Sequence, residues 1–243
     1  MPFNLKKNQL LLILPVSPWR WTAPSLGIAY IGSALEGTGF KVKLIDCQIT
    51  PGYRKKILSL LADYPSVGIS VNAGNVSSAL DIAREIRNHS PSTRIIMGGP
   101  HATAVYERLI PEYADIVVRG EGEDTIVELM QQDDLSSIKG IAYWDKELKL
   151  TPARPYIQDL DALRFPAWHL YELKRYRLGN TFTPLAIVMT SRGCPYDCIY
   201  CVKYVHGYKV RLRSVDNVLN EIDQLVSRFG IREIQIMDDV FTI

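Results

Sequence analysis

Short apolar runs alternate with segments of helical period along the first half of this chain, and that alternation limits its fold more than any other feature. The runs fall at residues 10–14, 41–46 (KVKLID), 66–71 (SVGISV), 94–97 (RIIM) and 115–118 (DIVV). Helices are predicted between and after them, at 27–36, 53–62, 77–88, 102–109 and 125–130. In the third of these, Ala79, Ile82, Ala83 and Ile86 recur at helical spacing. Val, Ile and Leu at nearly every strand position signal burial on both faces, the condition of a parallel sheet. The fold class predicted for residues 1–132 is α/β, a flavodoxin-like (Rossmann-like) doubly wound parallel sheet. Ligands of such sheets sit beyond the carboxyl ends of the strands.

Those ends are rich in glycine and short polar residues. SVNAGN follows the third strand, GGPHAT the fourth and RGEGE the fifth. Gly98, Gly99 and Gly120 allow close approach to the backbone, while Ser70, Asn72 and Thr103 offer hydrogen-bonding groups. On the residues alone, Gly98 and Gly99 read equally well as turn glycines. No G-x-G-x-x-G follows the first strand, so a dinucleotide fingerprint is missing.

The pattern breaks after residue 132. GIAYWDKELKLTP predicts a small hairpin, and residues 133–183 as a whole read as a linker. His169, beside Trp168, reads as a packing or surface residue. A second βαβ order opens at 185–190 (LAIVMT), and a cysteine loop follows directly. Ser214 is placed to cap a helix, with Asp216 in its first turn. Val218, Ile222 and Leu225 mark its buried face, and a strand is predicted at 233–237. The chain of 243 residues thus divides into 1–132, 133–183 and 184–243.

Bulk properties exclude several classes. Hydrophobic content of 47% with 22% charge describes a globular chain. A net charge of +2 gives no reason to expect nucleic acid or an anionic membrane as partner. LLLILPV is too short to span a bilayer. Four cysteines, three of them crowded together, do not make a secreted disulfide framework, which points to a reducing cytoplasm.

The crowded three are Cys194, Cys198 and Cys201 in SRGCPYDCIYC. Thiolates suit zinc and iron-sulfur clusters. Structural zinc needs four protein ligands, for which His206 is the available fourth. A four-iron cubane needs only these three and leaves one iron free to dock a small molecule. Cys47 reads as a buried, inert thiol at the end of the second strand. Lys203, Lys209, Arg211 and Arg213 read as a solvated basic face.

With aromatic Tyr200 before the last cysteine, GCPYDCIYC resembles the radical S-adenosylmethionine superfamily. The resemblance implies that the three cysteines ligate a [4Fe-4S] cluster and that the amino and carboxylate groups of S-adenosylmethionine chelate its free iron. It also implies that Tyr200 lies at that cofactor, whose reductive cleavage gives methionine and a 5′-deoxyadenosyl radical. A low-potential donor, flavodoxin or ferredoxin, is implied with it. RLRSVDNVLNEI and IQIMDDVFT resemble the cobalamin-dependent branch, in which Asp238 or Asp239 would meet the ammonium group. APSLGIAYIGSALEGTGFKVKLID, GGPHAT and DIVVRGEGE resemble that branch's cobalamin-binding domain, and DLDALRFPAWHLY its connector.

By this resemblance cobalamin would lie on Ser70, Asn72, Gly98, Gly99, Thr103 and Gly120. Trp19, Arg20 and Trp21 would lie under the corrin, or simply cover the sheet. PVSPWRWTAPSLG contains no histidine, so cobalt would lack one from this loop. The implied activity is radical methyl transfer to an unactivated carbon of an organic substrate. Cyclisation or rearrangement, a methylthiotransferase and a non-catalytic corrinoid module are the alternatives. Residues 184–243 would then begin a partial (β/α)6 barrel, and the chain is expected to be part of a longer protein.

Overall fold

The computed structural model describes residues 8–18, 23–176 and 183–243. Its first half alternates β1 (Gln9–Leu14), α1 (Leu26–Gly37), β2 (Lys41–Asp46), α2 (Tyr53–Leu60), β3 (Ser66–Ser70), α3 (Val76–His89), β4 (Arg94–Gly98), α4 (Pro100–Leu109), β5 (Ile116–Val118) and α5 (Glu123–Gln131). The five strands are parallel in the order β2-β1-β3-β4-β5. In β1, Leu10, Leu12 and Leu14 pack with α1 and α5, while Leu11 and Ile13 pack with α2, α3 and α4. Successive strand side chains point to opposite faces, so a strand covered on both sides needs an apolar residue at every position.

The hairpin differs from its predicted place in a linker. β6 (Ile141–Asp145) and β7 (Glu147–Leu150) extend the same sheet to seven strands, with β6 antiparallel to β5. The stretch beyond it is also packed rather than a tether. Trp168, Tyr171, Leu173 and Tyr176 are buried in the core that α1 and α5 cover. The Tyr176 hydroxyl donates to the Asp46 carboxylate at 2.6 Å, tying this layer to the end of β2.

The second half builds on that layer. It comprises β8 (Leu185–Val188), β9 (Ser191–Arg192), β10 (Arg211–Leu212), α6 (Val215–Phe229) and β11 (Glu233–Ile236). β8 and β11 are parallel and joined through α6, while β9 and β10 are antiparallel. All four residues of β8 are buried, in the same cluster as Leu10 and Trp168. Ser214 caps α6 as predicted, its Oγ accepting from the Asn217 amide at 3.2 Å. The carboxyl end of β8 is thereby held facing the carboxyl edge of the first sheet.

Candidate functional site

The loops at that edge are built mostly by their own polar groups. The Asn72 side-chain oxygen accepts from the amides of Gly74 (2.8 Å) and Asn75 (3.1 Å), closing a turn. The Asn75 amide group donates to the Ser70 carbonyl at 3.1 Å. The Thr103 hydroxyl accepts from the Gly120 amide at 3.1 Å and so joins the loops after β4 and β5. Gly99 has φ 106°, and a Cβ there would stand 2.8 Å from the Val71 carbonyl oxygen. Only glycine allows that crossing of the two loops.

The cysteine loop is closed at its base. Gly193 donates to Asp239 Oδ2 at 2.8 Å, and the Cys194 amide to the Gly207 carbonyl at 3.3 Å. Asp238 pins the chain just before it. Its carboxylate accepts from the Thr190 amide (2.6 Å), the Ser191 amide (3.2 Å), the Ser191 hydroxyl (3.0 Å) and the Thr190 hydroxyl. Asp239 also meets His206 Nδ1 at 3.1 Å. That hydrogen bond holds its carboxyl below the usual range, aided by the Gly193 amide. Tyr200 is 86% exposed, and its phenol is raised by a hydrogen bond to Cys198.

A buried charge cluster, not anticipated from the sequence, joins the two halves. Arg192 reaches Glu121 at 3.0 Å and Glu123 at 2.6 Å, and Arg211 reaches Glu121 at 2.9 Å. The Ile157 amide donates to the same Glu121 carboxylate at 2.7 Å. Burial works against the Arg192 charge, but Glu123 and Glu121 overcome it and raise its pKa. Its guanidinium also stands 5.0 Å from the Tyr30 ring centroid. Arg213 pairs with Glu221 at 2.5 Å in a second buried contact. The basic face expected around Lys203, Arg211 and Arg213 is therefore buried, and only Lys209 of that set is exposed. Two of its arginines serve to hold carboxylates rather than to meet solvent.

Between the halves lies a cavity of about 670 Å³. Ser70, Asn72, Gly98, Gly99 and Gly120 line one side, and Cys194, Cys201, Asp239 and His206 the other. Thr103, Cys198, Tyr200 and Asp238 lie outside its lining. Trp19 and Arg20, with Trp21, lie outside the described residues. Glu121, Glu123, Arg192 and Tyr30 join the lining without having been candidates. The signal for the two acids was the RGEGE loop, in which glutamates alternate with the glycines. A Cβ on Gly27, also on this cavity, would meet no heavy atom within 4 Å, so bare backbone faces the space there.

One wall presents glycine-rich backbone to a ligand, and the other carries the thiols of Cys194 and Cys201. The volume is in the range of cofactor sites, and the soft donor set suits iron-sulfur. The three thiols do not converge. Among the described residues no group of three or more His, Cys, Asp and Glu side chains is gathered closely enough to hold a metal ion. Cys198 and Cys201 are exposed and Cys194 half-buried.

Comparison with known proteins matches this layout. Residues 21–130 match the B12 binding domain family. An uncharacterised methyltransferase of Pyrococcus horikoshii is 33% identical across 98% of this chain and 55% of its own length. The anaerobic magnesium-protoporphyrin IX monomethyl ester cyclase of Cereibacter sphaeroides is 28% identical across 90% of the chain and 38% of its own length. The structure of TsrM from Kitasatospora setae, a radical S-adenosylmethionine methyltransferase with cobalamin and a [4Fe-4S] cluster bound, superposes with a TM-score of 0.74. That match has 19% identity and covers 96% of this chain and 48% of TsrM. The chain thus spans about half the length of the relatives it matches.

An α/β sheet carrying a B12 binding domain, closed against a three-cysteine loop, defines a cofactor-binding protein. The chain carries a B12 binding domain at residues 21–130 and resembles the cobalamin-dependent radical S-adenosylmethionine family.

Proposed function

We propose that this chain binds cobalamin at the carboxyl edge of its first sheet and a [4Fe-4S] cluster on Cys194, Cys198 and Cys201. It forms the cofactor-binding part of an enzyme that reductively cleaves S-adenosylmethionine for radical methyl transfer to an unactivated carbon. One observation carries the reading: the glycine edge of the B12 binding domain and the cysteine loop share a single cavity. When bound, the cluster supplies the electron for cleavage and cobalamin supplies the methyl group. Ring formation is the second reading, favoured by the relatives named as cyclases.

The residues divide the work. Gly98, Gly99 and Gly120 present backbone to the corrin, with Ser70 and Asn72 beside them. Thr103 orients the Gly120 loop, and Trp19 and Arg20 remain candidates for the lower corrin face. Asp239 is charged and on the cavity, so it meets the ammonium of S-adenosylmethionine. Asp238 positions the cysteine loop through its four hydrogen bonds, and Tyr200 lies beside the cofactor once the thiols are drawn together on iron.

The first sheet is flavodoxin-like and includes β6 and β7, so the cobalamin domain runs past residue 132 to the end of the hairpin. The β8-α6-β11 unit begins a partial (β/α)6 barrel. The electron comes from a flavodoxin or ferredoxin in a reducing cytoplasm. Among the described residues no helix is long and apolar enough to cross a membrane.

The test is anaerobic reconstitution with iron, sulfide and hydroxocobalamin, followed by reduction, desalting, metal analysis and EPR. Expected are about four irons and one cobalt per chain, with a cob(II)alamin signal lacking nitrogen superhyperfine splitting. A folded sample that retains no cobalt would sink the cobalamin reading. Iron retained equally after Cys198→Ala and Cys201→Ala would sink the cluster assignment.

A further inference from the structure

Arg192 and Arg211 stand directly opposite each other in the β9-β10 ladder, which has two residue pairs. Directly opposite partners in an antiparallel ladder share a face, and like charges there repel. Both guanidinium groups turn instead to one acceptor from the first sheet. Glu121 Oε1 accepts from Arg192 Nη1 at 3.0 Å and from Arg211 Nη1 at 2.9 Å. All three side chains are buried, so salt and water screen the two positive charges little. The carboxylate between them is what lets so short a ladder close.

That ladder is the neck of the cysteine loop. Arg192 lies two residues before Cys194, and Arg211 returns on the other flank, its Nη2 donating to the His206 carbonyl at 2.8 Å. Glu121 comes from the other wall of the cavity, in the run Gly120 to Glu123, all four of which line the space. The run is tied to its own domain, since the Gly120 amide donates to the Thr103 hydroxyl at 3.1 Å. It has a second hold on β9, where Arg192 Nη2 donates to Glu123 at 2.6 Å. A ligand seated on Gly120 thus rests one residue from the carboxylate that closes the neck.

We propose that Glu121 is a positioning residue for both cofactors: it spaces the strands that carry the cysteine loop, and through it cobalamin and cluster binding reinforce each other. The identity of the two ligands rests on the function proposed above. The physical basis is ordering. A ligand packed against Gly120 restricts the 120–123 run, and the restricted carboxylate fixes the ladder. A fixed ladder lowers the ordering cost of gathering the thiols. Linkage makes the effect equal in both directions.

The experiment uses the full chain as wild type and Glu121→Gln, with Glu221→Gln as control. The control breaks the buried Arg213–Glu221 pair, which lies outside the cavity lining, and so carries a comparable loss of stability. Equilibrium dialysis of hydroxocobalamin is run on iron-free protein and on protein reconstituted with iron and sulfide. Wild type and Glu221→Gln should bind cobalamin at least about fivefold more tightly once reconstituted. In Glu121→Gln the two affinities should be equal. A merely structural loss would lower both affinities and keep their ratio. Hydrogen exchange on iron-free protein gives a second readout. Cobalamin should slow the amides of 191–194 and 211–213 in wild type and leave them unchanged in Glu121→Gln.

A wild-type ratio near one, or the wild-type ratio in Glu121→Gln, overturns the proposal. If wild type takes up cobalamin but no iron, the exchange readout decides. If wild type retains no cobalamin, the function proposed above fails instead, and the ligand-free ladder still decides Glu121. Glu121→Gln should then lose amide protection at 191–194 and 211–213 beyond any loss in Glu221→Gln, and equal protection overturns the positioning role. If Glu121→Gln fails to fold by near-UV circular dichroism, the double variant Glu121→Gln with Arg211→Met replaces it, since removing both partners strands less charge.

Discussion

Cys47 is buried at the end of β2 beside Asp46, and burial, with that neighbouring carboxylate, pushes its thiol up to about 12. At pH 8 roughly one such thiol in ten thousand is ionised, against about a quarter of ordinary thiols. With iron chelated, Cys194, Cys198 and Cys201 should react rapidly with a disulfide reagent and Cys47 only after denaturant is added. A rapid burst of four thiols would contradict its burial. The sign of the linked pH effect also follows. The folded chain holds this proton more tightly than the unfolded chain, so the contribution is complete below the unfolded value near ~8.5 and fades as pH rises toward about 12. The fate of Cys47 was legible because it follows an apolar run on a predicted buried strand. The burial of Lys203 was not, since a lysine among tyrosines in a loop reads as solvated until the fold closes over it. Asp238 and Asp239 were legible as a pair but not in their division. Which carboxylate turns to the backbone and which to the cavity depends on contacts with residues 190–193, more than 40 positions away.

The strands of the first sheet were readable because burial on both faces leaves consecutive apolar residues in β1, β3, β4 and β5, with polar residues at strand ends and in the edge strand β2, and their ends fell within a residue or two of the predicted bounds. The neighbour of the hairpin was not readable. The GIAYWDKELKLTP pattern announces a hairpin but says nothing of its neighbour, and the pairing of Val118 with Ile141 is set only when β5 is already in place. The cysteine loop shows a different dependence of element on residue. Gly193 has φ 93°, and a Cβ there would stand 2.3 Å from the Lys209 carbonyl oxygen, so the base of the loop closes only around glycine. Gly193→Ala is expected to cost on the order of 3 kcal/mol, combining left-handed strain with a backbone clash. Ser214→Ala, which removes the cap of α6, is expected to cost about 1 kcal/mol. Urea denaturation gives both values, and iron content after reconstitution separates them further. Loss of iron is expected in Gly193→Ala alone. A Gly193→Ala protein as stable as wild type would show that the loop closes some other way.

At the scale of the whole molecule, the two halves are joined by an apolar layer and by one buried charge cluster. Glu121 sits in the loop after β5, and Arg192 and Arg211 sit in β9 and β10 on either side of the cysteine loop. Sequence separations of 71 and 90 residues explain why no pattern announced these pairs. A buried ion pair is weak evidence for net stability, because desolvation offsets the attraction, but breaking one from a single side leaves a charge stranded. Glu121→Gln removes the carboxylate that pairs with Arg211, leaves Arg192 with Glu123 alone, and turns one oxygen of the cluster into an amide donor. The expected cost is about 3–5 kcal/mol. Glu36→Gln, at the exposed contact with His169, should cost under about 1 kcal/mol. The cost should also have a location. The apolar contacts of β1–β5 with their helices are untouched by Glu121→Gln, whereas the cysteine segment loses its charged attachment to the sheet. Wild-type protein should therefore unfold in one calorimetric transition and Glu121→Gln in two, with the segment carrying Cys194 melting first. Hydrogen exchange would assign the early transition: amides of β8, β9 and β10 should lose protection while those of β1 and β3 keep theirs. A single transition shifted as a whole would mean that the buried Trp168–Tyr176 layer, not the charge cluster, makes the halves cooperative.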